Sequence, residues 1–320
     1  MSRFGMSGLL KGARTAVRTC MGVKQGEKVL VITDPPKLKI ARAIIGAARE
    51  LSAKTMLICM PVGKRHGSEP PEIVALAMLS SDVVIAPTTY SLTHTQARLR
   101  ATKAGTRIAT MPMITAGMMC RGGMLADYNV VSRLTKKVAS RFERTAEVEV
   151  KTSAGTELTL SVAGRKPHAD TGIFHAPGDF GNLPAGEVFI APVEGTAGGR
   201  VVVDGSMADR KGGRIEISVE KGVAVKISGN YAQKLIRMLD EAGSKARNIA
   251  EFGIGTNTKA RLIGNVLEDE KVLGTCHIAL GDNSAFGGRV RAGIHVDGIL
   301  LKPTVKLDGK ILMRDGRLKV

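Results

Sequence analysis

The sequence predicts an α/β protein: an N-terminal parallel sheet flanked by helices, followed by a C-terminal mixed, mainly β α+β domain. Three observations lead there. Through the first half, short apolar runs alternate with segments whose apolar residues recur at helical spacing. After about residue 146 the texture changes to period-two alternation broken by glycine-rich turns. At 320 residues and 43% hydrophobic content, the chain is long enough for about two domains with a sizeable core.

The N-terminal segment "MSRFGMSGLLKGARTAVRTCMGV" is basic and mildly amphipathic. It lacks the unbroken apolar stretch and cleavage pattern of a secretory signal, so it reads as a first helix, with the cytoplasm as the expected location. "KVLVIT" (28–33) is bounded by Gly26 and "DPP", as suits a buried parallel strand. "KLKIARAIIGAARELSA" places Ile40, Ile44, Ile45 and Leu51 on one helical face. "KTMLICM" (54–60) reads as the next strand, and "PEIVALAMLSS" as a helix opened by proline. "DVVIAPT" (82–88), "HTQARLRATKAG", "TRIATMP" and "NVVSRLTKKVASRFERTAE" continue the series as strand, helix, strand and helix. Repeated units of this kind build a parallel sheet covered by helices. "TDPPK" follows the first strand where a dinucleotide fold would carry G-x-G-x-x-G, and the P-loop pattern is missing too, so residues 1–146 read as a scaffold domain.

Residues 147–320 read as a mainly β domain. "AEVEVKTSAGTELTLSVAG" signals a hairpin, and "GEVFIAPV", "GRVVVDG" and "GRIEISVEKGVAVKISG" extend the strand pattern. "YAQKLIRMLDEAGSKARNIAE" reads as one interrupting helix, and "VKLDGKILMRDGRL" closes the chain around a tight turn.

Composition narrows the function classes. No apolar run approaches the roughly 20 residues of a membrane-spanning helix. Cys20, Cys59, Cys120 and Cys276 are far apart, which reads as buried reduced thiols rather than a disulfide framework or zinc knuckle. The net charge is +18, and the excess sits in the first half, where residues 1–150 carry 23 Lys and Arg against 10 Asp and Glu. Aromatic residues are only 3% of the chain and Trp is absent, so platforms for stacking bases are scarce and nucleic acid is not the expected partner.

The chemistry concentrates in four segments. "GDFGNLPAGEVFIAP" carries Glu187 at a strand entrance, and "NIAEFGIGTN" carries Glu251 at the end of a helix-like segment. "GTCHIALGDN" places His277 inside a strand, and "GIHVDG" carries His295 and Asp297. Residues i and i+2 of a strand share a face, so His295 and Asp297 reach one ion together while Val296 packs on the other side. Imidazole and carboxylate suit zinc, iron, manganese or cobalt, and Glu187 and Glu251 add enough carboxylate for a second ion roughly 3.5–4 Å away. Asp282, Asn283, Ser284, Arg289 and Arg291 lie nearby in sequence as candidate substrate contacts, and His175 as a supporting residue. "LEDEK" (267–271) reads as a solvated charged turn, and His66, His94 and His168 as loop or segment-start residues.

"NLPAGEVFIAP", "EFGIGTN", "LEDEKVLGTCHIALGDN" and "HVDG" resemble the aminopeptidase T family of leucyl aminopeptidases, most closely between Gly178 and Gly298. The resemblance implies that Glu187, Glu251, His277, His295 and Asp297 hold a two-metal centre of zinc or cobalt. It further implies a homodimer that restricts access to short peptides. A metal-dependent aminopeptidase-like hydrolase is thus the expected activity, with Glu187 or Glu251 bridging the ions or shuttling a proton. The family's catalytic tyrosine corresponds here to Ser284, a shorter group for contacting an oxyanion. The same fold family includes dioxygenases that cleave dihydroxypyridine rings. There, residues matching His277, His295 and Asp297 hold Fe(II) and the tyrosine is likewise absent, which makes ring cleavage the alternative expectation.

Overall fold

A computed structural model describes residues 5–208 and 210–320; residues 1–4 of the expected first helix lie outside the described residues. The chain forms two compact units. One consists of the residues up to Ser132 together with Thr171–Ala185, the other of Arg133–Asp170 and Gly186–Val320. Among the described residues no helix is long and apolar enough to cross a membrane.

The first unit holds β1 (Lys28–Thr33), β2 (Lys54–Cys59), β3 (Val83–Thr88) and β4 (Arg107–Pro112), with α1 (Met6–Arg14), α2 (Leu38–Arg49), α3 (Glu72–Leu79), α4 (Gln96–Lys103) and α5 (Ala116–Arg121). β3 and β4 are buried along their whole length, which suits the apolar run of β3; in β4 the buried Arg107 and Thr110 are hydrogen-bonded, Arg107 to the Met21 carbonyl and Glu27 and Thr110 to Asn182. All pairings in this sheet are parallel, as the alternating pattern predicts. The division between units falls within α6 (Tyr128–Ser140).

After the predicted hairpin of β5 (Glu147–Lys151) and β6 (Glu157–Ser161), and the short β7 (His168–Asp170), the chain returns to the first sheet. β8 (Phe180–Asn182) pairs with the free edge of β4, giving the order β2-β1-β3-β4-β8. A boundary at residue 146 with everything later in a second domain therefore misses this excursion. "FGN" has no apolar run of its own, and its place is set by the edge it completes.

The second unit continues with β9 (Glu187–Ile190), β10 (Gly198–Val203), β11 (Ser206–Met207), β12 (Arg210–Lys211), β13 (Ile215–Glu220), β14 (Val223–Gly229) and α7 (Ala232–Ala242). It ends with β15 (Ile249–Gly255), α8 (Val266–Asp269), β16 (Thr275–Gly281), β17 (His295–Leu301), β18 (Thr304–Leu307), β19 (Lys310–Arg314) and β20 (Arg317–Leu318). These strands make two sheets, of order β14-β13-β10-β6-β5-β18-β19-β20 and β12-β11-β17-β16-β15-β9-β7. Their inner faces share one apolar core: Val150, Leu160, Val201 and Ile217 from the first sheet meet Ile190, Phe252, Ile278 and Leu300 from the second, with Leu235 and Leu239 of α7.

One correction concerns Glu251. It does not end a helix. α7 stops at Ala242, Gly243 takes a left-handed φ of 92°, and Glu251 lies inside the fully buried strand β15.

Register decides which side chains share a face of the seven-stranded sheet. Asp170 pairs with Glu187, Glu187 with Gly255, Gly253 with His277, Ala279 with Asp297, and Gly281 with His295. Alternate residues on these strands therefore carry the polar groups on one face. The intervening Val188, Ile190, Phe252, Ile254, Cys276, Ile278, Leu280 and Val296 enter the core from the other. On the polar face the residue opposite His277 has no side chain: a Cβ at Gly253 would stand 2.0 Å from His277 Nε2.

These two faces predict separable defects. Ile278→Ala, which opens a cavity on the core face, lowers unfolding stability by about 2–5 kcal/mol. Gly253→Ala costs a smaller amount, about 1–3 kcal/mol of overpacking, but drives the His277 ring aside. Chemical denaturation with a crystal structure of the glycine variant checks this; an undisplaced imidazole in that variant would refute the packing argument.

Candidate metal centre

The five side chains singled out in the sequence converge. His277 Nε2 lies 3.1 Å from Glu251 Oε1 and 3.5 Å from Glu187 Oε2. His295 Nε2 lies 3.5 Å from Glu251 Oε2 and 3.4 Å from Asp297 Oδ1. Potential ligand atoms of Glu187, Glu251 and His277 form one group within 4.8 Å, and those of Glu251, His295 and Asp297 a second, so Glu251 is common to both. His277 is fully buried and the three carboxylates nearly so, while the His295 side chain keeps 31% of its exposure. One end of the cluster is closed and the other open.

Donor chemistry and burial both fit a divalent ion. The set is mixed nitrogen and oxygen without thiolate. Glu187 Oε2 and Asp297 Oδ1 are buried with no hydrogen-bond partner among the described residues, and each faces an imidazole. Buried carboxylate oxygens are normally satisfied, so orphaned ones facing ligand nitrogens mark a place for a cation. His295 is oriented from behind: its Nδ1 lies 2.8 Å from the backbone carbonyl of Asp282, which can only accept. Nδ1–H therefore donates, and Nε2 is the nitrogen left to face the carboxylates.

Electrostatics show how strongly these groups compete for positive charge. Burial pushes Glu187 up, to about 7, against the pull of Lys271 and His277. Burial opposes a charge on His277, yet the Glu251 hydrogen bond and the Glu187 and Glu251 charges raise it to about 9. His295 is raised well above its ordinary value, burial being outweighed by Asp297 and Glu251. Asp297 is held at about 2, because His295 and His277 overcome its burial. The carboxylates thus hold positive charge on the two imidazoles, charge that a metal cation bound there would supply instead.

Three contributors escape the sequence reading. Lys271 is 1% exposed, with Nζ 2.6 Å from Glu187 Oε1, in contact with Glu270, and 4.0 Å from Asp170. "LEDEK" is thus not a solvated turn. Glu268 accepts from the Arg261 amide, Asp269 from the Ile263 and Gly264 amides and the Ser206 hydroxyl, and both are buried. His168 and Asp170 lie on the polar face of β7 and repeat the H-x-D pattern of His295 and Asp297, a signal present in the sequence. Finally, rings line the cluster: His168 stacks on Phe189 at 5.0 Å, Phe189 meets Phe286 edge-on at 5.5 Å, and Phe286 meets His295 at 5.8 Å.

Other predicted residues take supporting or separate places. Ser284 is exposed and its hydroxyl donates to Asp282 Oδ1 at 2.8 Å, so it does not stand in for a phenol among the five. Asn283 is buried and bonds Glu194, whose carboxylate also accepts from the Arg289 amide and pairs with Arg165. The Arg289 and Arg291 residues are exposed. His175 belongs to the first unit, where Nε2 donates to the Thr19 carbonyl at 2.9 Å.

Comparison with known proteins settles the family. The 2,5-dihydroxypyridine dioxygenase of Pseudomonas putida superposes with a TM-score of 0.83 at 19% identity, covering 98% of each chain. Wild-type AmpT from Thermus thermophilus superposes with a TM-score of 0.74 at 20% identity, covering 98% of this chain and 99% of that one. At such identities these likenesses establish a shared fold. No curated protein matches the sequence. The family model described as NicX, 2,5-dihydroxypyridine 5,6-dioxygenase, matches residues 9–320. That match overturns the expectation of an aminopeptidase-like hydrolase, whose tyrosine position is filled by a serine already bound to Asp282. With all but its first residues inside the match, the chain belongs to the NicX (2,5-dihydroxypyridine 5,6-dioxygenase) family.

Proposed function

We propose that this protein is a metal-dependent ring-cleaving dioxygenase for a dihydroxypyridine-class ring, with His277, His295 and Asp297 holding Fe(II) and Glu251 beside them. The observation that carries the reading is the family match over residues 9–320. Two histidines and one carboxylate with open positions are a ligand set suited to non-haem iron oxygenases, and the buried orphan oxygens supply its charge. Bound iron would contribute the one-electron chemistry that dioxygen needs to react with an aromatic ring.

The chain's own residues prepare the site. The Asp282 carbonyl accepts from His295 Nδ1–H, so Nε2 is the nitrogen presented to the cluster and would give its lone pair to a metal that displaces the competing proton. Phe189 and Phe286, set edge to face, offer a flat ring a wall beside the open end, and His168 backs Phe189. Arg165, Glu194 and Asn283 hold the segment that presents Phe286, since Glu194 ties Arg165 to the Arg289 amide and Arg165 donates to the Gly287 carbonyl. The closed end, with fully buried His277, excludes water from the ligand atoms.

Protein loaded with Fe(II) under anaerobic conditions is expected to consume dioxygen and 2,5-dihydroxypyridine in a one-to-one ratio on mixing with air. Chelation should abolish the reaction and Fe(II) restore it; an oxygen electrode with product mass spectrometry decides, and oxygen-independent substrate loss would refute the reading. His295→Ala should lower kcat/KM by at least about a hundredfold together with bound iron, and unchanged iron content would remove His295 from the ligand set. Phe286→Ala should raise KM about five- to tenfold with a smaller change in kcat, as loss of roughly 1 kcal/mol of ring contact requires. Steady-state kinetics showing an unaltered KM would dismiss the aromatic wall.

A further inference from the structure

The two candidate ligand groups share Glu251 and lie side by side, so the cluster as drawn offers two neighbouring ion positions. They are not equivalent. The corner formed by Glu187, Glu251 and His277 already has a cation against it: Lys271 Nζ is 2.6 Å from Glu187 Oε1. That ammonium is held by Glu270 and has Asp170 at 4.0 Å, and it is 1% exposed. At the other end no lysine or arginine comes within ion-pair distance among the described residues: Asp297 pairs with His295, and Lys271 and His277 act on it only from farther away.

We propose that Lys271 is a built-in cation that withdraws Glu187 from the ligand set and closes the Glu187 side of the cluster to a second ion, leaving one divalent ion on His277, His295 and Asp297 with Glu251 beside it. The proposal rests on reading the cluster as a metal centre. An ion on Glu187 Oε2 would share a single carboxylate with the ammonium. Two cations across one carboxylate, shielded from water, repel with little screening. The ammonium cannot move aside without leaving Glu270 and Glu187 as uncompensated buried charges. Lys271 is therefore a positioning residue: it acts on the ion through Glu187. It also explains why a chain with the carboxylates for a pair of ions is suited to hold one.

The test counts ions in the full-length protein. Apo-protein is titrated with Mn(II), following stoichiometry by calorimetry and elemental analysis, and spin coupling by electron paramagnetic resonance. Wild type should bind one ion per chain with an uncoupled spectrum. Lys271→Met, of similar length and without charge, should bind two, with a coupled spectrum and at least tenfold tighter second-ion binding than wild type. Two ions in wild type, or one in the variant, would overturn the proposal. Should the variant fail to fold, wild-type crystals soaked in Mn(II) decide: a single anomalous peak beside His277, His295 and Asp297, with Nζ still on Glu187, supports the assignment, and a peak on Glu187 overturns it. Absence of any ion would remove the metal-centre reading and the proposal together. One bound ion without ring cleavage would remove only the proposed reaction.

Discussion

The period-two alternation of one antiparallel sheet is the constraint on which the rest depends. Strands β9, β15, β16 and β17 bury both faces, but only one of them is apolar. A strand residue cannot leave its face without shifting the register of its neighbours, and each shift would send Phe252, Ile278 and Leu280 out of the core. The apolar face thus locks Glu187, Glu251, His277 and Asp297 together on the other side, where no solvent relieves their mutual repulsion. Burying so many ionisable groups is unfavourable unless each finds an opposite charge. Packing on one face of the sheet thereby creates, on the other, the demand for cations that Lys271 and the imidazoles partly meet.

Much of this was legible in the residues, because it depends on local periodicity. Strands β1 to β4 of the parallel sheet read directly from their short apolar runs, and the H-x-D pair at 295 and 297 from a two-residue repeat. What failed depends on partners distant in the chain. "LEDEK" looks solvated until Ser206 and the amides of Arg261, Ile263 and Gly264 are seen to occupy its carboxylates. Glu251 looked helical because the amphipathic pattern of α7 runs on past Gly243, whose backbone conformation stops the helix. β8 was invisible as a strand because three residues without an apolar run acquire their identity from the edge of β4. His168 and Asp170 share a strand face by the same two-residue rule that pairs His295 with Asp297, so that part of the polar face was legible as well.

Between the sheet and the open end of the cluster lies a segment whose stiffness comes from polar contacts. Asp282 accepts from the Ser284 and Ala292 amides while its carbonyl receives His295 Nδ1–H, so one residue closes the loop and aims the ring. Asn283 is packed so tightly against Gly288 that a Cβ there would fall 1.9 Å from its side chain. Glu194 ties Asn283, Arg289 and Arg165 into a single anchor, which explains how a glycine-rich run presents Phe286 in a defined orientation. These contacts lie outside the five clustered side chains and act by fixing the orientation of His295 and Phe286.

The hydrolase and oxygenase readings draw on one ligand set, and this is why the residues alone favoured the wrong one. Imidazole and carboxylate ligands place a cation and fill part of its coordination; they leave the reaction to what occupies the remaining positions. For peptide hydrolysis the additional requirement is a donor for the developing oxyanion. Ser284 has spent its hydroxyl on Asp282, and its exposed position keeps it out of the buried cluster. For ring cleavage the additional requirement is a flat apolar surface beside the metal, and Phe189 and Phe286 are placed to provide it. Discrimination between the two chemistries therefore lies outside the five conspicuous residues, in a hydroxyl already engaged and in two rings that carry no ligand atom.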